Sequence, residues 1–218
     1  MHRDYAGEWY LDEADGYLYL VPPPGTASSV AALTELSLVP VHNPTAVRVN
    51  ATSSHPVKHT VLANLTIMHT SATFMEPYET SSGGDWSVHR GASVFVQGAL
   101  DFTVEGIHFD QIDGNGVFFS RFVRNSTIAR NSFSAIGDSA ILVVGASGRH
   151  RTNQAQSFEY PAYNLIEENH VDTNGVWVKQ SAAYFKSVTR ANIIRNNVFH
   201  DGPRSGINYN GRLNADFF

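Results

Sequence analysis

The chain has 218 residues, with 15 Lys+Arg against 20 Asp+Glu, a formal net charge of −5 and no cysteine. Disulfide staples, thiolate metal ligands and a cysteine nucleophile are excluded, and no basic run is long enough to track a phosphate backbone, so nucleic acid is not an expected partner. With 42% hydrophobic and 11% aromatic residues the chain can build one domain with a sizeable core. No stretch approaches the roughly 20 apolar residues of a membrane span, so a soluble chain is expected.

In chain order, EWYLDEADGYLYLVP reads as a strand, a turn at Asp15 and Gly16, and a second strand. No apolar signal-peptide core precedes it, and the abrupt start and finish point to a fragment of a longer protein. Residues 1–50 are expected to form a strand-rich cap and 51–218 a series of coils, incomplete at the C-terminus. Residues 74–91 interrupt the rhythm. Beyond them four segments superimpose when their apolar residues are matched: GIHFDQIDGNGVFF, RNSFSAIGDSAILV, ENHVDTNGVWVKQSAAYF and NNVFHDGPRSGINY. Phe109, Phe133, Val171 and Phe199 fall in one register. Val117, Ile141, Tyr184 and Ile207 fall in a second, separated by 24, 43 and 23 residues. Two of these intervals agree with one coil of about two dozen residues; the long one holds an insertion at 145–164 and a wider turn after Gly175. Both insertions are expected on the side of one strand row.

Short β-branched or aromatic strands alternate with Asn, Gly and Asp turns, and no amphipathic helix lies between them. The predicted fold is all-β, a solenoid in which each coil buries its inward side chains on the coils above and below. Ile128, Ile141, Ile166, Ile193 and Ile207 are expected in stacked rows, with Ile141 and Ile207 inside and Arg130 and Arg195 exposed. Asn131, Asn169 and Asn197 share one turn position, where Asn tolerates a left-handed backbone and can ladder its amide to the next coil.

These segments, with GEWYLDEADGYLYLVPP, SGGDWSVHRGASVFVQG and HDGPRSGINYN, resemble right-handed parallel β-helix proteins of the pectate-lyase-like superfamily. More narrowly they are similar to the set related to glycoside hydrolase family 141. The resemblance covers most of the chain. It implies a carbohydrate-active protein with a polysaccharide or glycan partner, extracellular or in the secretory pathway. Members commonly run on beyond a segment like GPRSGINYN, so further coils, with any site residues they hold, are expected outside this chain.

The residues themselves offer several chemistries. One strand row, at 117–119, 141–143, 184–186 and 207–209, is expected to line a groove, and the turns before it carry Asp113, Asp138 and Arg204. Strands about 4.8 Å apart would align these groups along one edge. Glycoside hydrolysis uses two carboxylates, one protonated and one ionised, about 5 Å apart for retention and about 6.5 to 9.5 Å for inversion. Asp113 and Asp138 hold similar places before their strands and are the first candidates, with burial and mutual repulsion expected to raise one pKa. His200 and Asp201 are alternatives. Against this stands the ordinary role of Asp in a turn, capping its own backbone. Asp85, Trp86, His89 and Arg90 lie within six residues and suit a sugar ring, with Trp stacking on the pyranose and the polar groups on its hydroxyls. Arg204 and Lys186 are further substrate-binding candidates. The competing account is a packed loop over the apolar outward row Phe118, Leu142 and Phe185. A lyase would use Lys179, Lys186, Arg204 or His200 as base, and no clustered Asp ladder for Ca²⁺ is evident. The sequence assigns no metal ligands and no cofactor. A glycan- or protein-binding solenoid without turnover is a third class, and sequons at Asn50, Asn64 and Asn125 are compatible with secretion.

Overall fold

The computed structural model describes residues 8–22, 24, 41–80, 86–146 and 159–210. They fall in two compact units divided between Pro40 and Val41. In the first, β1 (Trp9–Asp12) and β2 (Tyr17–Leu20) pair antiparallel as the sequence predicts. The Asp12 carboxylate accepts the Ala14 amide at 3.1 Å, and its carbonyl accepts that of Gly16, whose φ of +71° closes the turn.

The second unit is built of parallel strands, and no helix occurs among the described residues. Its first coil is β3 (Val47–Asn50), β4 (Val57–Ala63) and β5 (Thr66–Thr70). After a short antiparallel pair, β6 (Glu79–Thr80) with β7 (Ser87–Val88), the second coil is β8 (Val94–Glu105) and β9 (His108–Ile112). The third is β10 (Val117–Arg124), β11 (Thr127–Ala129) and β12 (Ser132–Ile136). The fourth is β13 (Ile141–Val144), β14 (Leu165–Glu167) and β15 (His170–Asn174), and the fifth β16 (Ala182–Ser187), β17 (Ile193–Arg195) and β18 (Val198–His200). Strand β19 (Ser205–Tyr209) begins another.

Apart from β6 and β7, each strand of this unit pairs in parallel with its counterpart one coil away. β5, β9, β12, β15 and β18 form a five-stranded sheet, and the first and second strands of the coils join a ten-stranded one through the long β8, which pairs with both β3 and β4. From β10 through β13 and β16 to β19 no residue is skipped, so Val117, Ile141, Tyr184 and Ile207 align as the spacing predicts, while β10 shifts register on β8 between Ser120 and Val123. Phe109, Phe133, Val171 and Phe199 align likewise, with the first two rings stacked at 4.6 Å. All of them but Ile207 line the interior with Val94, Phe119 and Ile128, Phe199 being partly buried. Arg130 and Arg195 are exposed, as expected.

Two expectations are corrected. Ile166 stacks on Ile128 and on Ile194, not Ile193; period-two alternation turns Ile193 outward, where it is 56% exposed. Ile207 keeps its register yet is 48% exposed, because β19 has a strand on one side only among the described residues.

The asparagine ladder forms at the turn between second and third strands. The Asn169 side-chain oxygen accepts the Asn131 amide at 3.1 Å, while its Nδ2 donates to the Ile128 carbonyl at 2.9 Å and to Asn197 Oδ1 at 3.0 Å. Asn131 serves Ile107 and Val104 one coil earlier in the same way. The left-handed residue is the one before each asparagine: Arg130, Glu168 and Asn196 have φ of 55°, 55° and 55°. The amide therefore sits at the first residue after the bend, where it reaches the neighbouring coil. Asn164 and Asn192 repeat the device between first and second strands.

Replacing Asn169 with Ala leaves a buried amide and a buried carbonyl unpaired. A loss of about 2–4 kcal/mol is expected from urea unfolding, and a smaller loss from Asn197→Ala, whose side chain is only half-buried.

Candidate functional site

The turns between each third strand and the next first strand share one edge of the molecule and carry its most unusual carboxyl group. Asp138 follows Gly137 in the turn after β12, is 5% exposed, and donates its backbone amide to the Gly114 carbonyl one coil back. Its Oδ2 accepts the Tyr78 hydroxyl at 3.2 Å and its Oδ1 the Ser139 hydroxyl at 3.3 Å. Burial pushes its pKa up to about 6, against the opposing effect of the Tyr78 and Ser139 hydrogen bonds. The same burial, with the Asp138 charge, raises the Tyr78 hydroxyl. Tyr78 comes from the excursion between β5 and β8.

Asp113 is not equivalent to it. It lies four residues before Val117, whereas Asp138 lies three before Ile141, so in register Asp113 falls beside Gly137. Its Oδ1 accepts the indole N–H of Trp177 at 2.9 Å. Trp177 stands in the wide turn after β15, which is laid on the Asp138 turn by main-chain bonds: Gly175 to the Asp138 carbonyl, and Trp177 and Val178 to that of Gly137. Gly137 is required there. A Cβ would run into the Asp113 carbonyl and, at 2.8 Å, the Trp177 ring. Trp177 is 53% exposed, and the exposed Phe74 lies beside it with ring centroids 6.4 Å apart. The edge thus holds a presented aromatic pair, a half-exposed carboxylate tied to the indole, and a buried carboxyl under a tyrosine.

The groove row has a different neighbour. Its outward residues Phe95, Phe118, Leu142 and Phe185 are covered by the segment Trp86 to Ala92, so the packed-loop account holds for this face. Trp86 is 7% exposed, with its ring 5.5 Å from Phe185 and the Arg204 guanidinium 4.7 Å above it; it offers no open face to a sugar. Arg90 staples the cover down, donating to Glu79 at 2.6 Å, to the Ser120 hydroxyl at 2.8 Å and to the Gly145 carbonyl at 3.0 Å. Burial lowers its pKa, and the charge of Glu79 counters that. One insertion precedes β8 and the other follows β13, and Arg90 joins their stems at Gly145. Asp85 and 147–158 lie outside the described residues.

The other candidates scatter. His89 meets the Pro77 carbonyl at 3.1 Å and lies against the Tyr78 ring. Lys186 pairs in register with the inward Val143, not with the outward row, and its ammonium lies over Tyr209. Lys179 donates to the Gly175 and Val176 carbonyls, stapling its own turn. His200 and Asp201 stand at the third sheet, with His170 and Asp172 as neighbours. Sequence reasoning passed over Trp177, Phe74 and Tyr78. A tryptophan in a wide Gly-containing turn was the available signal for the first; the other two join the edge only through the excursion's path.

No protein-family model matches the chain, and no curated protein matches it. Among solved structures, one described as a glycoside hydrolase superposes with a TM-score of 0.74 at 20% identity over 94% of this chain. The chain spans 39% of that protein's length. The likeness is one of fold: stacked parallel strands, without helices among the described residues.

The raised Asp138 carboxyl makes stability pH-dependent. Below its unfolded pKa of about 3.9 it is protonated in both states; between there and about 6 the folded state keeps a proton that the unfolded state has lost. Stability therefore falls as pH rises through that window, by on the order of 1–3 kcal/mol. Asp138→Asn, which mimics the protonated form, is expected to gain that amount over the wild type between pH 4 and pH 7 in urea midpoints. A gain at the acid end instead would contradict the assignment.

Proposed function

We propose that the protein is carbohydrate-active, a right-handed parallel β-helix of glycoside hydrolase type, working at the turn edge rather than on the covered strand row. The observation that carries this reading is the adjacency of an exposed indole fixed by Asp113 to a turn whose buried Asp138 carboxyl is pushed up to about 6. Trp177 and Phe74 stack on the CH faces of sugar rings, and the Asp113 bond fixes the indole plane before substrate arrives. Asp138 is half-protonated near pH 6, which suits a general acid for the glycosidic oxygen, while Asp113 is the second carboxylate that stabilises the sugar cation or activates water. Tyr78, half-buried over Asp138, links that carboxyl to the surface as a proton relay. The exposed asparagines at 50, 64 and 125 fit a secreted protein acting on an extracellular polysaccharide.

A glycan-binding role without turnover is the second reading, favoured by the near-complete burial of Asp138. Incubation with a panel of polysaccharides separates the classes: new reducing ends mark a hydrolase, an ultraviolet-absorbing unsaturated product a lyase, and retention without product a binding module. With a hydrolysed substrate in hand, Asp138→Asn is expected to lower kcat about a hundredfold or more, and Trp177→Ala to raise KM about tenfold with a smaller change in kcat. Unchanged hydrolysis in Asp138→Asn would remove this residue from the chemistry.

A further inference from the structure

Away from the turn edge, the outward face of the third sheet gathers a second polar cluster. Phe109, Phe133, Val171 and Phe199 point inward, so the residues next to them point out: Asp172 and His200 fall in one column, and His170 in the adjacent one. Asp201 joins them just past β18, where its φ of 53° repeats the left-handed bend of Thr173 one coil earlier, at 59°. His200 Nδ1 lies 2.8 Å from Asp201 Oδ2 and 3.8 Å from Asp172 Oδ1, and one ligand atom from each of the three lies within 4.8 Å of the others. On its far side, His200 Nε2 lies 2.8 Å from Nε2 of His170.

We infer that Asp172, His200 and Asp201 bind a divalent transition cation of the Zn²⁺ or Co²⁺ kind, with His170 as a positioning residue. Neighbouring ligands held about 2.0–2.2 Å from one ion at tetrahedral to octahedral angles lie about 2.8–3.6 Å apart; the 2.8 Å separation at Nδ1 meets the short end of that range and the 3.8 Å one lies just beyond its long end. One imidazole nitrogen and two carboxylates suit a borderline ion, whereas Ca²⁺ asks for six or more oxygens. The surroundings supply the outer contacts such sites use. With the Nδ1 lone pair turned to the ion, the His200 proton sits on Nε2 and is donated to His170, which fixes the ring; the Thr173 hydroxyl donates to Asp172 Oδ1 at 2.8 Å. The side chains are exposed or half-exposed, leaving positions for water. The ion would join the fourth coil to the fifth, since Asp172 comes from one and His200 and Asp201 from the other. The same contacts without an ion amount to a histidine sharing its proton with a carboxylate, and experiment separates the two.

The test is titration of the protein with Zn²⁺ by calorimetry and with Co²⁺ by visible absorption. One ion per chain is expected, with Co²⁺ bands of a low-symmetry nitrogen–oxygen site. His200→Ala and the double variant Asp172→Asn/Asp201→Asn should each weaken binding more than tenfold and abolish the bands; His170→Ala should weaken it about tenfold while the bands persist. Zn²⁺ should raise the unfolding temperature of the wild type and leave that of His200→Ala unchanged. The carboxamide pair preserves side-chain volume, so it stands in should His200→Ala fail to fold by circular dichroism. Absence of stoichiometric binding overturns the inference, as does binding that survives these changes and so belongs to others of the ten histidines.

Discussion

Parallel pairing of each coil on the next, held in register along the inward columns of the first and third strands, is the constraint from which the rest of this structure follows. When Val117 lies beside Ile141, and Ile141 beside Tyr184, every side chain is committed to a column and every column to a side. An inward position must be apolar in each coil because its neighbours above and below are apolar. An outward position is free to be anything, and that freedom is where chemistry collects. Backbone bends obey the same rule: left-handed residues recur at matching places, as at Gln111, Ala135, Thr173 and Asp201 along the third sheet. Few of these residues are glycine or asparagine. The register imposes the bend, and hydrogen bonding across the coils sustains it against a local cost of about 1–2 kcal/mol.

This explains what could be read from the amino-acid string. Spacings of 24 and 23 residues between Val117 and Ile141 and between Tyr184 and Ile207 carry the register directly, because the inward columns are apolar and the interval is the coil. The ladder asparagines were visible for the same reason. What the string concealed was parity inside short strands and packing from distant segments. Ile193 and Ile194 are indistinguishable by composition, yet one step along a strand exchanges the interior for solvent. Trp86 looked like a sugar platform because its polar neighbours are close in sequence; its neighbour in space is Phe185, a hundred residues away in the fifth coil. His170 and Asp172 drew no notice, since they meet His200 only through the pairing of β15 with β18.

The candidate site shows how one architecture separates two carboxylates. Asp113 and Asp138 come from consecutive coils, and the offset of one residue in their turns sends one to the surface under an indole and the other beneath a tyrosine. Burial raises the pKa of the second. Long excursions supply the difference: Tyr78 and Phe74 arrive from one, Trp177 from another, while the regular coils give only the rail on which they meet. The cover over the strand row is a product of the same excursion, and Arg90 anchors it with bonds to three separate segments.

Coupling that runs only from coil to coil has a physical consequence. In a stack coupled only between nearest neighbours, an interior coil has two interfaces and a terminal one has one, so opening begins at the ends and travels inward. Ile193, Val198, Ile207 and Tyr209 lie on that last layer of the described residues, each about half in water. Amide exchange should therefore be slow at β10 and β13, each of which has a parallel strand on both sides. The stack in this sense resembles a one-dimensional crystal, whose cohesion passes only from each layer to the next.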